Sequence, residues 1–211
     1  MLTALPLRAK ITVSTSKADT RPYHHGDLRT ALLVEGLRLV EESGAEALSL
    51  REVARAAGVS ATAVYRHFPA KRALMTALAL EGVRRLGEAQ AAAAAQAGGG
   101  AAAFTATGLA YVRFALANPG LFRLTFTYPG IAIGDPGSDA AASLLHHHAL
   151  DLARGDTRLA RVIALRAWAL VHGLALLILD GRVPRDNALI AATVAAAALA
   201  QDAPCPSAPP P

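Results

Sequence analysis

The segment that decides the fold is residues 48–74, LSLREVARAAGVSATAVYRHFPAKRAL. Ser49 is followed three residues later by Glu52, and this capping-box spacing predicts that a short helix begins here. Gly58 supplies the positive φ that a tight turn requires, and Ser60 can accept a hydrogen bond from the first turn of a second helix. The segment therefore predicts two short helices joined by a glycine turn, which is a helix-turn-helix.

The residue pattern also separates an inner face from an outer face in this segment. Ala54 is small enough for the two helices to approach closely, and the residues expected at their shared seam are Val53, Ala57, Val59 and Val64. The outer side of the second helix is expected to carry side chains that can meet base edges and phosphates, namely Thr62, Tyr65, Arg66 and His67.

Charge is concentrated on the same segment. The whole chain has 211 residues, a net charge of +5 and a pI of about 9.9, which permits a polyanionic partner. Between residues 51 and 72 Glu52 is the acidic residue, and the basic residues are Arg51, Arg55, Arg66, Lys71 and Arg72. The excess of positive charge therefore lies on the predicted helix-turn-helix.

These features together resemble the DNA-binding domain of the tetracycline-repressor (TetR) family over about residues 27–78. The resemblance rests on the capping box, Ala54, Gly58, Val59, Ser60 and the run Tyr65-Arg66-His67-Phe68. It implies contacts with phosphates or the groove from Arg51, Tyr65, His67 and Lys71, and positions facing the bases at Ala61, Thr62, Ala63 and Arg66. Three departures from the family pattern are Ala63, Ala70 and Arg72, where threonine, a polar capping residue and an acidic residue are frequent.

The rest of the chain predicts an all-α protein. We expect a basic arm at 1–22, an N-terminal three-helix bundle with the helix-turn-helix at 23–70, a larger helical ligand-binding and dimerisation domain at 71–202, and a proline-rich tail at 203–211. The arm is either a solvated tail or a segment that follows DNA. Further helices are expected at about 27–43, 71–97, 101–117, 120–127, 143–154, 157–179 and 185–200.

The last two of these helices are the most apolar, and a second copy of the chain can cover the side that does not face their own core. The family resemblance implies a homodimer through them, and the segment with Trp168, His172 and Gly173 resembles the Trp-His-Gly subclass of TetR regulators. The residues expected to surround a mostly apolar effector site are Phe104, Phe114, Phe122, Phe126, Trp168 and His172. A buried tryptophan beside a satisfied core histidine is the alternative explanation of that pair.

The predicted function is a ligand-responsive repressor that binds a palindromic operator as a homodimer. A small apolar or amphipathic effector, uncharged or weakly charged, is expected to release it. Alternatives are a non-specific architectural DNA-binding protein, a helical enzyme, and a metal sensor that uses His146, His147 and His148. No cofactor, metal site or membrane association is expected. A single cysteine, Cys205, and the absence of a recognisable signal sequence favour the cytoplasm.

Overall fold

A computed structural model describes residues 28–128 and 139–199, and within this part the chain is entirely helical. The helices are α1 (Leu28–Ala47), α2 (Leu50–Ala56), α3 (Ala61–His67), α4 (Lys71–Ala97), α5 (Gly100–Ala117), α6 (Pro119–Thr127), α7 (Ala140–Leu152), α8 (Thr157–Leu179) and α9 (Asn187–Leu199). The all-α prediction is thereby confirmed. The predicted basic arm, the Asp27 cap, the loop after Tyr128 and the proline-rich tail lie outside the described residues.

The first three helices form the predicted small bundle. Ser49 Oγ accepts a hydrogen bond from the Glu52 backbone N–H and donates one to the Glu52 carboxylate, so α2 begins where the capping box places it. Ser60 Oγ accepts from the Ala63 N–H at 3.2 Å and caps α3 in the same way. Gly58 lies between the two helices with φ 67°, which an L side chain rarely adopts.

The α1–α3 bundle and the long helix α4 share one core. The largest buried side chains at this end of the molecule are Leu32, Val40, Val53, Val64, Phe68, Leu74 and Leu78. Residues 71–97 form one continuous helix, which begins at Ala70 without a side-chain cap and ends at Gly98 in the left-handed conformation. Because α4 belongs to both halves of the molecule, it connects the helix-turn-helix to the larger helical domain.

Two helix starts differ from the sequence-based expectation, and each difference has a local cause. Helix α7 begins at Ala140 because the Asp139 carboxylate accepts a hydrogen bond from the Ala142 N–H at 2.7 Å. Helix α9 begins at Asn187 because the Asp186 carboxylate accepts from the Ala188 and Leu189 N–H groups. Both are aspartate caps whose range is only two or three residues.

The outer face of α8 and α9 is apolar and exposed. On α8 the exposed residues Val162, Leu165 and Ala169 lie on one face. On α9 the exposed residues Leu189 and Ala192 also lie on one face of their helix. No membrane association was expected from the sequence, but α5 and α8 are long and apolar enough to cross a membrane by length and composition. In the described structure α5 lies in the core against α4 and α8, and α8 buries its other face against α5 and α7.

Candidate DNA-binding surface and ligand cavity

Helix α3 presents the outward side chains that its sequence predicts. Val64 is fully buried against the bundle, whereas Thr62, Tyr65 and Arg66 are exposed. Tyr65 keeps 47% of its surface in solvent, which is unusual for a large aromatic side chain without a partner. The remaining predicted contacts Ala61, Ala63 and His67 are half-buried on the same short helix.

Exposed cations lie on α3 and on the helices before and after it, α2 and α4. Within the described part of the chain no ion pair involves Arg51, Arg55, Arg66, Lys71 or Arg72. Lys71 differs from the other four cations because its ammonium group donates a hydrogen bond to the Glu46 carbonyl at 2.7 Å. This bond ties the start of α4 to the end of α1. The surface therefore combines positive charge outside ion pairs with the exposed side of α3, which suits the major groove and its phosphates.

A cavity of about 60 Å³ lies in the larger domain. Its wall is mostly apolar and includes three of the predicted ligand-binding residues, Phe104, Phe126 and Trp168. The polar side chains in the wall are Gln90, Thr105, Thr107, Tyr111 and Asp139. A mostly apolar cavity with a few polar groups is typical of small-molecule sites.

The other three predicted ligand-binding residues do not line this cavity. Phe122 is fully buried, with its ring centroid 4.8 Å from that of Phe126 and 5.7 Å from that of Tyr111. Phe114 also belongs to the main core. His172 faces an open groove on the far side of Trp168. The six residues predicted from the sequence are thus divided among this cavity, the neighbouring groove and the core, because apolar character does not tell which side of a helix faces a void.

Tyr111, Trp168 and His172 form a hydrogen-bonded chain next to the cavity. The Trp168 indole N–H donates to the Tyr111 hydroxyl at 3.3 Å, and that hydroxyl lies 2.8 Å from His172 Nδ1. Because the hydroxyl accepts from the tryptophan, its own proton is available to His172, which is then neutral with Nδ1 as acceptor. Burial raises the pKa of Tyr111 and lowers the pKa of His172, and both shifts favour this neutral arrangement.

Helix α6 joins the cavity to the DNA-binding bundle. At its start the Gly120 and Leu121 N–H groups donate to the carboxylate of Glu41 on α1, at 2.9 and 2.8 Å. Asn118, at the N-cap position of α6, makes no side-chain cap. The carboxylate of Glu41 therefore caps a helix of the other domain and places a negative charge at its positive end.

The rest of α6 makes the same connection. A Cβ added at Gly120 would lie 2.6 Å from the Val40 carbonyl oxygen, so the glycine permits the close approach of α6 to α1. At the other end the Tyr128 hydroxyl donates to the Arg72 carbonyl at 3.2 Å, in the first turn of α4. Between the two ends Phe126 forms part of the cavity wall. A displacement of this wall would therefore be transmitted through α6 to α1 and to the start of α4.

The histidine run on α7 does not form a metal site with the described residues. His147 is exposed and lies 3.5 Å from Asp151, whereas His148 is half-buried and its Nε2 has no partner within the described structure. No group of three or more metal-ligating side chains occurs among residues 28–128 and 139–199. Successive helical residues point in different directions, which explains why the three rings do not converge.

Three residues of this region were not identified from the sequence. Gln90 had a detectable signal, because it occupies an apolar position four residues after Leu86 and four before Ala94. Tyr111 is one of several aromatic residues in the larger domain, and no sequence pattern predicts its hydrogen bond with His172. Glu41 caps a helix that begins almost 80 residues later, a distance beyond any local capping pattern.

Two family models match the chain. Residues 32–78 match the model described as bacterial regulatory proteins of the tetR family. Residues 104–200 match the model described as the Tetracyclin repressor-like C-terminal domain. That description does not mention the Trp-His-Gly subclass, so the subclass stays a prediction. No curated protein matches the chain significantly.

Solved structures cover most of the chain. A protein of unknown function from Rhodococcus sp. RHA1 is 37% identical, with a TM-score of 0.72 over 86% of this chain and 96% of that one. A TetR family transcription regulator from Marinobacter aquaeolei VT8 is 20% identical, with a TM-score of 0.64 over 83% and 95%. NalD, the secondary repressor of the MexAB-OprM multidrug efflux pump in Pseudomonas aeruginosa, is 21% identical, with a TM-score of 0.54 over 83% and 95%. The last two likenesses concern the fold.

Proposed function

The chain belongs to the TetR family of bacterial transcription regulators, and from this premise we propose that it is a cytoplasmic, homodimeric repressor whose operator binding is released by a small molecule. The observation that carries the proposal is the exposed face of α3, where Thr62, Tyr65 and Arg66 protrude among cations without ion pairs. A helix placed in this way can enter the major groove while the cations contact phosphates.

The chemistry of the side chains on this surface indicates which of them read the bases and which contribute charge alone. Arg66 can donate two hydrogen bonds to a guanine, whereas Thr62 offers a hydroxyl and a methyl group to a base edge. Arg51 and Lys71 supply charge that contributes to binding of any sequence. Ala63 offers at most a methyl contact to thymine. The protein is therefore expected to distinguish sequences mainly through Arg66 and Thr62.

The apolar outer face of α8 and α9 supports the proposed dimer. Leu165 is 62% exposed and Leu189 is 45% exposed, although both lie on helices whose other sides are buried. Small residues next to them, Ala169 and Ala192, permit a second pair of helices to approach closely. Association of two copies through this face would bury the patch and hold two copies of α3 at a fixed separation, as a palindrome requires.

The link between cavity and DNA supports the proposed release mechanism. Binding pockets for drug-sized ligands usually have volumes of about 300–1,000 Å³. The cavity of about 60 Å³ must then widen, and Phe126 on α6 is one of its walls. Since α6 is attached to α1 through Glu41 and to the start of α4 through Tyr128, its displacement would change the position of the helix-turn-helix. A ligand that favours the displaced state must bind DNA-free protein more tightly, and by linkage operator DNA must weaken ligand binding by the same factor.

Selection from a library of random DNA duplexes tests the DNA-binding part of the proposal. The selected fragments should contain an inverted repeat, and Arg66→Ala should weaken binding to them by about 10- to 100-fold, which corresponds to about 1–3 kcal/mol. Arg113→Ala is the matched control, since it removes the same charge from an exposed position on α5, outside the helix-turn-helix. Equal losses for the two variants, or no enriched repeat, would favour an architectural DNA-binding protein instead.

A further inference from the structure

Gln90 is the buried polar side chain of the cavity wall whose hydrogen-bonding capacity is only partly used. It lies on α4, keeps 7% of its surface exposed, and shares the wall with Leu86, Phe104 and Trp168. Its side-chain amide nitrogen donates to the Thr107 carbonyl on α5 at 3.2 Å. No group among the described residues donates to its amide oxygen.

The orientation of this amide is fixed by its neighbour. Rotation by 180° would place the amide oxygen against the Thr107 carbonyl oxygen, and two acceptors would then face each other. The amide nitrogen therefore points to Thr107, and the amide oxygen is the atom without a hydrogen-bond donor among the described residues. A buried acceptor without a donor is unfavourable, so a molecule that brings a donor to this oxygen gains an interaction that the ligand-free protein lacks.

The charges of the wall restrict the rest of the ligand. Its lining residues include no lysine, arginine or histidine within the described structure, and Asp139 contributes a carboxylate. The Trp168 N–H is already donated to Tyr111, and the Thr107 hydroxyl to the Phe104 carbonyl. An anionic ligand would meet a carboxylate, and no cation in the wall would compensate its charge.

We propose that Gln90 selects the effector, and that the effector is a neutral, mainly apolar molecule whose hydroxyl or amide N–H group donates to the Gln90 side-chain oxygen. This inference rests on the proposed ligand-responsive function and specifies its ligand class. The apolar wall holds the body of the molecule, and Gln90 orients it. Because Gln90 is on α4 and Phe126 is on α6, a molecule anchored at Gln90 contacts both helices that lead to the DNA-binding bundle.

The test compares three probes of nearly the same shape, p-cresol, p-xylene and p-toluate, which carry a hydroxyl, a methyl group and a carboxylate at one position. Binding to the full-length protein is measured by ligand-observed NMR and calorimetry. Gln90→Leu removes the acceptor at similar volume, and Gln90→Met provides a second apolar replacement in case the first variant is poorly folded. Gln96→Leu is the matched control, because it makes the same change at an exposed position of the same helix.

The expected result is that p-cresol binds and p-toluate does not. The ratio of p-cresol affinity to p-xylene affinity should fall about tenfold in Gln90→Leu and Gln90→Met, and should be unchanged in Gln96→Leu. An unchanged ratio in folded Gln90 variants, tightest binding by p-toluate, or no binding of p-cresol at about 1 mM would overturn the assignment. Sequence-specific DNA binding by the ligand-free protein is measured separately, so failure of the ligand assignment is distinguishable from failure of the proposed function.

Discussion

Replacement of Glu41 tests the link between α1 and α6 most specifically. In Glu41→Ala the Gly120 and Leu121 N–H groups lose their acceptor, and the start of α6 loses a neighbouring negative charge. Loss of a helix cap usually costs about 0.5–2 kcal/mol, and loss of a favourable charge at a helix end about 0.3–1 kcal/mol. Since Glu41 is exposed and partly solvated, we expect a loss of about 1–2 kcal/mol for both effects together.

Urea unfolding at fixed protein concentration, followed by circular dichroism and Trp168 fluorescence, measures this loss. With a slope of about 2–3 kcal/mol per molar urea, the midpoint should fall by about 0.5 M. Glu42→Ala is the matched control, because Glu42 is the next residue, is exposed, and pairs only with Arg38 among the described residues. That surface pair contributes about 0–1 kcal/mol, so its removal should have a much smaller effect. Glu41→Gln should be intermediate, since the amide oxygen can still accept one of the two hydrogen bonds.

The same variants test the regulatory role of the link. If α6 transmits the effector signal, Glu41→Ala should reduce the factor by which an effector weakens operator binding. The expected reduction of this factor is about three- to tenfold, and the coupling free energy between two such sites is typically about 1–3 kcal/mol. Operator binding without effector should change less. Equal midpoints for Glu41→Ala and Glu42→Ala would refute the cap, and an unaltered coupling factor in a destabilised Glu41→Ala would refute its part in signalling.

Three further predictions concern DNA binding, assembly and pH. Arg51→Ala should weaken binding to all DNA sequences and reduce the slope of log affinity against log salt by about one, as measured by titrations at several salt concentrations. Ala192→Glu should give a folded monomer in sedimentation and circular dichroism, because the carboxylate is solvated in the monomer but would be buried unpaired in the proposed dimer. His172 has a lowered pKa in the folded state, so its contribution to stability is complete above the unfolded pKa of about 6.5 and declines as the pH falls through the folded value. His172→Gln should therefore lessen the loss of stability between about pH 7 and 5 in urea titrations, whereas His147→Gln, at an exposed position, should have less effect.

The helix-turn-helix was predictable because its determinants are local. Ser49, Ser60 and Gly58 each act within three residues of their own position, and they define the starts of α2 and α3 and the turn between them. The bounds of α4 and α8 were also predicted correctly. In the structure Gly98 ends α4 in the left-handed conformation, and the Asp156 side chain caps the start of α8. Short-range capping and backbone conformation leave a clear trace in the sequence.

The candidate ligand site was predictable only in part, because its geometry depends on long-range packing. Phe122 and Phe126 are four residues apart on one face of α6, yet one fills the core and the other lines the cavity. The hydrogen bond between Tyr111 and His172 joins residues 61 positions apart. Glu41 and Gly120 are 79 positions apart. Pairings of this kind depend on how α1, α5, α6 and α8 pack, which a residue pattern within one helix does not specify.

The central claim is that the chain binds a specific palindromic DNA sequence as a dimer, and the most direct measurement is the stoichiometry and affinity on a selected duplex. Analytical ultracentrifugation of the protein with that duplex should give two protomers per inverted repeat. Competition titration should show binding at least about 10³-fold tighter than to a scrambled duplex at physiological salt. One protomer per duplex, or equal affinity for the selected and scrambled sequences, would contradict the account.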